Sequence, residues 1–247
     1  MTSQADFDRF VAAQRGVRRL ALRDLAAWWT TVESLPPSEA QAAAAEFLPI
    51  LAQTYGEVSA TAAADFYDAA RASSPAARGR FTASLASPEA AQRASRQVQW
   101  ATSPLFDGDP ATALSRMSST VDAAALQDGR NTVMFNNGRD PSTPRWARVP
   151  VGKTCAWCLM LASRGAVYRT AESAGQYREF HSKCDCQATP SWDHGKDLPP
   201  SYDEGELFGL YDRARADAGT GNPKDITAAI RRLDGGIHVE DGVRART

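Results

Sequence analysis

Five side chains that commonly bind metals fall within 32 residues of this chain, as Cys155-x2-Cys158, 22 further residues, and His181-x2-Cys184-x-Cys186. A Cys-x2-Cys turn points two thiolates into one tight loop. The second group comes from a distant segment, so a shared ion closes a long loop and fixes where two stretches of chain meet. Soft sulfur and nitrogen donors in this number suit tetrahedral zinc. The surrounding segment is too short to bury much core, so the ion supplies much of its folding energy.

Five candidates compete for four places. Cys155 and Cys158 form the first pair, and the second comes from His181, Cys184 and Cys186. The set taken here is Cys155, Cys158, His181 and Cys184, with Cys186 next in line and an all-cysteine site as its competitor. Four protein ligands exclude water, which makes the expected Zn2+ structural and not catalytic. Two other readings exist, disulfides and plain buried thiols. The opening Met1–Asp6 has neither a basic start nor an apolar core, so no secretory signal is read and metal binding is preferred to disulfides. Two tight pairs of cysteines argue against unrelated buried thiols.

Around this segment the chain reads as mainly helical. Phe7, Phe10, Val17, Ala21, Leu25, Trp28 and Val32 recur at helical steps and share one face. Arg15, Arg18, Arg19 and Arg23 fall elsewhere and read as a solvated face. Pro36-Pro37 ends this helix, and Ser38 with Gln41 forms a capping box for the next. That helix runs to about Ser73, kinked or divided at Pro49, with Phe47, Leu48, Leu51, Tyr55, Phe66 and Tyr67 as its core. Ser87-Pro88 and Asp109-Pro110 open helices over 88–103 and 110–133.

From Asn136-Asn137-Gly138 the texture changes. Strand candidates follow at Trp146–Val149, Val167–Arg169 and Cys186–Thr189. Helix returns after Pro199-Pro200, with Leu207, Leu210, Tyr211 and Ala214 on one face and Gly219 as its stop. Ile226–Leu233 is a last helix, and Gly235–Thr247 a mobile tail. The expected organisation is a helical N-terminal domain over 1–135, a small α+β zinc-knuckle domain over 136–200, and C-terminal helices with a tail over 201–247.

Function classes are narrowed by what the sequence lacks. A net charge of -1 does not supply the broad basic surface of a phosphate-tracking protein. No apolar run is long enough to span a membrane. No phosphate-cradling glycine loop or nucleophile elbow is present. His194 and His238 stand alone; a general base at His194 is the sharper reading and a surface-loop histidine the plainer, preferred one.

Trp146-x2-Val149-Pro150, Thr154-Cys155-x2-Cys158, Gly165 and His181-x2-Cys184-x-Cys186 together resemble the phage Mu protein F family of minor capsid, head-morphogenesis proteins. The run from Cys155 to Tyr168 is similar to the branch found in phages of actinobacteria. An arginine count of 24 against four lysines fits a GC-rich source. The resemblance covers about residues 110–195. The chain has Ser182 and Asp185 where the family often has proline and arginine. The resemblance implies a virion protein inside the phage head, in the host cytoplasm during assembly, with the portal protein as partner. The major capsid protein and packaged DNA are further candidate partners, and no membrane is involved. The competing class is an enzyme of the phage head module, either a capsid maturation protease or a zinc-containing nuclease.

Overall fold

A computed structural model describes residues 2–174, 180 and 184–240. It is mainly helical, with one small two-stranded sheet.

Helix α1 spans Gln4–Val32, capped by the Ser3 hydroxyl accepting from the Asp6 amide at 3.0 Å. The expected face is buried, except that Trp29 takes the place read for Trp28. Trp28 is half-buried and stacks on Phe47, with ring centroids 4.5 Å apart. Helix α2 spans Pro37–Ser73 and runs through Pro49 as one element. Its expected capping box does not form. The cap is Pro36, and the Gln41 amide donates instead to Thr102 Oγ1 at 2.8 Å.

Helix α3, Ala90–Thr102, starts later than the Ser87-Pro88 pair suggests. A remote residue caps it: the Asp128 carboxylate accepts from the Glu89 and Ala90 amides at 3.2 Å. Helix α4, Pro110–Arg139, is capped by Asp109 as read, but it continues past Asn136-Asn137-Gly138. Those asparagines do not end the helix, because their amides bind other segments. Asn136 donates to the Ser84 carbonyl at 2.8 Å and Asn137 to the Pro144 carbonyl at 3.0 Å.

Strand β1, Arg145–Val149, pairs antiparallel with β2, Gln187–Ser191, so that Arg148 faces Ala188 and Val149 faces Gln187. The third expected strand, Val167–Arg169, is only a single bridge from Tyr168 to Trp146. Helix α5 spans Ala156–Ala162 and α6 Ala171–Ala174. Helices α7, Glu204–Ala218, and α8, Pro223–Leu233, occupy the places read for them, with Gly219 left-handed at φ 62° behind α7.

The largest core crosses the whole chain. Phe7 and Phe10 of α1, Phe66 and Tyr67 of α2, and Val133 and Met134 of α4 pack with Trp146, Val149, Trp192 and three cysteines. A second cluster fills the far end of α1, α2 and α4. A third joins α5 to α7 and α8 through Leu159, Leu161, Leu210 and Ile230. The expected tail is partly anchored. The Thr154 amide donates to the His238 carbonyl at 2.7 Å, and the Glu240 amide to the Thr154 carbonyl at 2.8 Å. Residues 241–247 lie outside the described set. No described helix is long and apolar enough to cross a membrane.

Candidate metal centre

The sheet brings the two cysteine groups together. β1 leads through a turn at Gly152 (φ 67°) to Thr154 and into α5, while Cys184 and Cys186 immediately precede β2. Pairing of Val149 with Gln187 therefore sets the 184–186 segment beside the start of α5.

Cys155 is the N-cap of α5, and its sulfur accepts from the Cys158 amide at 3.2 Å. Cys158 points inward. Its sulfur lies 3.2 Å from that of Cys184, and the sulfurs of Cys158, Cys184 and Cys186 all lie within 4.8 Å of one another. These three residues are buried, Cys155 is half-buried, and no disulfide joins the four. Thr154 Oγ1 is 3.1 Å from the Cys186 sulfur.

Tetrahedral zinc at ordinary Zn–S lengths holds its sulfurs about 3.8 Å apart, so three converging thiols of this spacing fit such an ion. Cys186, ranked last among the candidates from sequence, is one of the three. His181 lies outside the described residues, and Cys155 borders the cluster at the helix cap. Crowding against Cys158 and Cys184, with burial added, raises the Cys186 thiol well above its usual value. A bound divalent ion removes that penalty by neutralising the thiolates it gathers.

Two arginines that sequence reasoning missed flank the cluster. Arg130 of α4 and Arg148 of β1 are 2% and 1% exposed. Arg130 donates to the carbonyl oxygens of Cys184 and Cys186. Arg148 Nη1 is 3.5 Å from the Cys158 sulfur. Both guanidiniums lie over the Phe180 ring, their carbons 4.2 and 3.5 Å from its centroid. Burial lowers the pKa of Arg130, with Cys184 opposing and Arg148 adding to the fall. A signal existed in the sequence: Arg130 sits between Leu126 and Val133 on one helical face, a charge between apolar neighbours.

Asp185, between the last two cysteines, faces α1. It ion-pairs with Arg18, and more loosely with Arg15 at 3.5 Å. Arg18 also binds Asp122 through two bonds of 2.6 and 3.2 Å. The solvated face read for α1 is thus corrected at Arg18, while Arg19 and Arg23 are exposed. His194 is exposed in a turn at φ 50°. His238 has a partner after all: its Nε2 is 3.3 Å from Glu206.

Comparison with known proteins places these features among phage proteins. The sequence model for the family described as "VG15 protein" matches residues 1–214. The "Gene 15 protein" of Mycobacterium phage D29 is 28% identical over 34% of this chain and 42% of its own length. The "Gene 15 protein" of Mycobacterium phage L5 matches with the same identity and coverage. The matched part thus spans less than half the length of these curated relatives. No solved structure matches the chain.

Proposed function

This chain belongs to the VG15 protein family, and from that premise we propose that it is a minor capsid, head-morphogenesis protein of a tailed phage. It sits at the portal inside the head, and zinc in the cysteine cluster holds its fold. The observation that carries the reading is the buried thiol cluster inside a chain whose family match covers the whole cysteine segment. Sulfurs packed beneath α1, α4 and the sheet suit an ion that braces structure, because a catalytic zinc keeps an open position for water. The Trp146–Cys186 pattern supports the head-assembly role through its resemblance to the Mu protein F family.

The test is co-expression with the portal and major capsid proteins of the encoding phage. We expect this chain to co-purify with the portal, carrying about one zinc per chain, while the capsid protein keeps its length. Absence from the portal complex overturns the assembly role. Capsid protein shortened only when this chain is present overturns the structural reading in favour of a protease.

A further inference from the structure

We propose that Arg130 is a positioning residue of the metal centre, clamping the Cys184–Cys186 segment and balancing the negative charge that bound metal creates there. The proposal rests on the zinc reading above.

Arg130 is carried on the apolar face of a long helix and is almost wholly buried. A charge in that position needs an opposite charge nearby. Its hydrogen-bond acceptors are the Cys184 and Cys186 carbonyls, which fix geometry but carry no net charge. Among the described residues, the nearby carboxylates bond to other cations: Asp122, which favours the Arg130 charge from a distance, takes two bonds from Arg18, and Asp185 pairs with Arg18 and Arg15. A second buried cation, Arg148, lies over the same Phe180 ring and adds repulsion. The sulfur cluster adjoins both: Arg148 Nη1 is 3.5 Å from the Cys158 sulfur, and Arg130 holds the carbonyls of the two other clustered cysteines.

A divalent ion bound by three thiolates and one neutral ligand has a net charge of about -1, and by four thiolates about -2. Either places an anion beside two buried guanidiniums, and among the described residues no carboxylate is in hydrogen-bond contact with Arg130. By gripping the carbonyls on both sides of Asp185, Arg130 also sets the direction in which the two flanking sulfurs point. Partners that orient ligands in this way typically contribute about tenfold to a hundredfold in metal affinity.

The experiment uses the full chain with cobalt(II) as the probe, read by thiolate-to-cobalt absorption and by competition with a chelator. Wild type is compared with Arg130→Lys, Arg130→Met and, as a distant control, Arg116→Met. We expect one cobalt per chain in wild type, affinity at least about tenfold weaker in Arg130→Met, and substantial recovery in Arg130→Lys. The control should match wild type. Arg130→Met binding as tightly as wild type overturns the proposal alone. Equal weakening in Arg130→Lys and Arg130→Met overturns the role of charge. Wild type that takes up no cobalt overturns the metal reading together with the proposal. Should Arg130→Met not fold, Arg130→Gln keeps a hydrogen-bond donor and removes the charge, and affinity equal to wild type would be the overturning result.

Discussion

Arg18, on the first helix, forms an ion pair with Asp185, the residue between the last two cysteines, across 167 positions of sequence. The same guanidinium grips Asp122 of α4. One side chain thereby ties α1 and α4 to the cysteine segment, and the helical part and the cysteine part share a seam as well as a core.

Arg18→Ala should therefore cost more than an exposed charge does. Arg18 is about one-fifth exposed, and Asp122 is nearly buried beneath it. Loss of hydrogen bonds to a charged group costs about 2 kcal/mol, which in a chain of this size lowers Tm by about 4–8 °C. Asp185→Asn should cost less, because Asp185 is the more open partner. Thermal unfolding of both single variants and the double variant measures the coupling. Strict additivity would show that the seam carries no energy through this pair.

The three converging sulfurs predict a ranking among ligands. Cys158→Ser, Cys184→Ser and Cys186→Ser should each abolish or greatly weaken zinc retention, measured by elemental analysis after dialysis against a mild chelator. Cys155→Ser and His181→Ala then decide the fourth place, one being damaging and the other mild. If Cys186→Ser keeps its zinc while His181→Ala loses it, the order read from sequence is restored.

Much of the helical fold was legible because its signals are local. The apolar step of α1, the Asp109 cap and the Gly219 stop each act within a few residues. What was missed acts at long range. Asp128 caps α3 from another helix, Asn136 and Asn137 spend their amides on remote carbonyls, and Arg130 is buried because a distant segment covers it. The cysteine pattern pointed to a cluster of thiols, three of which the fold brings together, but spacing could not rank Cys186 against His181. That ranking depends on how β2 pairs with β1.

At Gly129, α4 packs closely against α1 and α2. A Cβ there would lie 2.4 Å from the Ser59 hydroxyl, 2.9 Å from the Ser59 carbonyl and 3.2 Å from the Gln14 amide nitrogen. Gln14 and Ser59 are themselves hydrogen-bonded, at 2.7 Å, so neither can swing away without losing a bond. Gly129→Ala should destabilise by about 1–3 kcal/mol through overpacking, despite alanine's better helix propensity. Gly16, with open space around its Cβ position, is the matched control: Gly16→Ala should be neutral or stabilising. Denaturant midpoints compare the two, and a stabilised Gly129→Ala would refute the close packing.

Acid should act first at the junction of α2 with the sheet, where two buried carboxylates gather donors from both sides. Asp140 accepts from Arg71 at 2.8 Å and from the Trp192 indole at 3.0 Å. Asp197 accepts from the Ser74 hydroxyl at 2.7 Å and the Trp192 amide at 2.9 Å. Burial opposes ionisation of both, but these donors outweigh it and hold both carboxyls below their usual range. A carboxyl depressed in the folded state stabilises above its unfolded value and loses that contribution as pH falls through the folded value. Stability should therefore drop below about pH 4. Asp128 has the opposite sign. Burial raises it despite amides from Glu89 and Ala90, so its cost at neutral pH is relieved as pH falls through its raised value. The expected profile is a slight rise on mild acidification, which Asp128→Asn removes, followed by a fall that Asp140→Asn with Asp197→Asn flattens. Unfolding followed by far-UV circular dichroism and by tryptophan fluorescence reports on the proposed division at 135/136 in the same samples. Coincident transitions would mean that the two parts unfold together, and separated ones that they are distinct units. An acid fall that persists undiminished in the double aspartate variant would remove these carboxylates from the account.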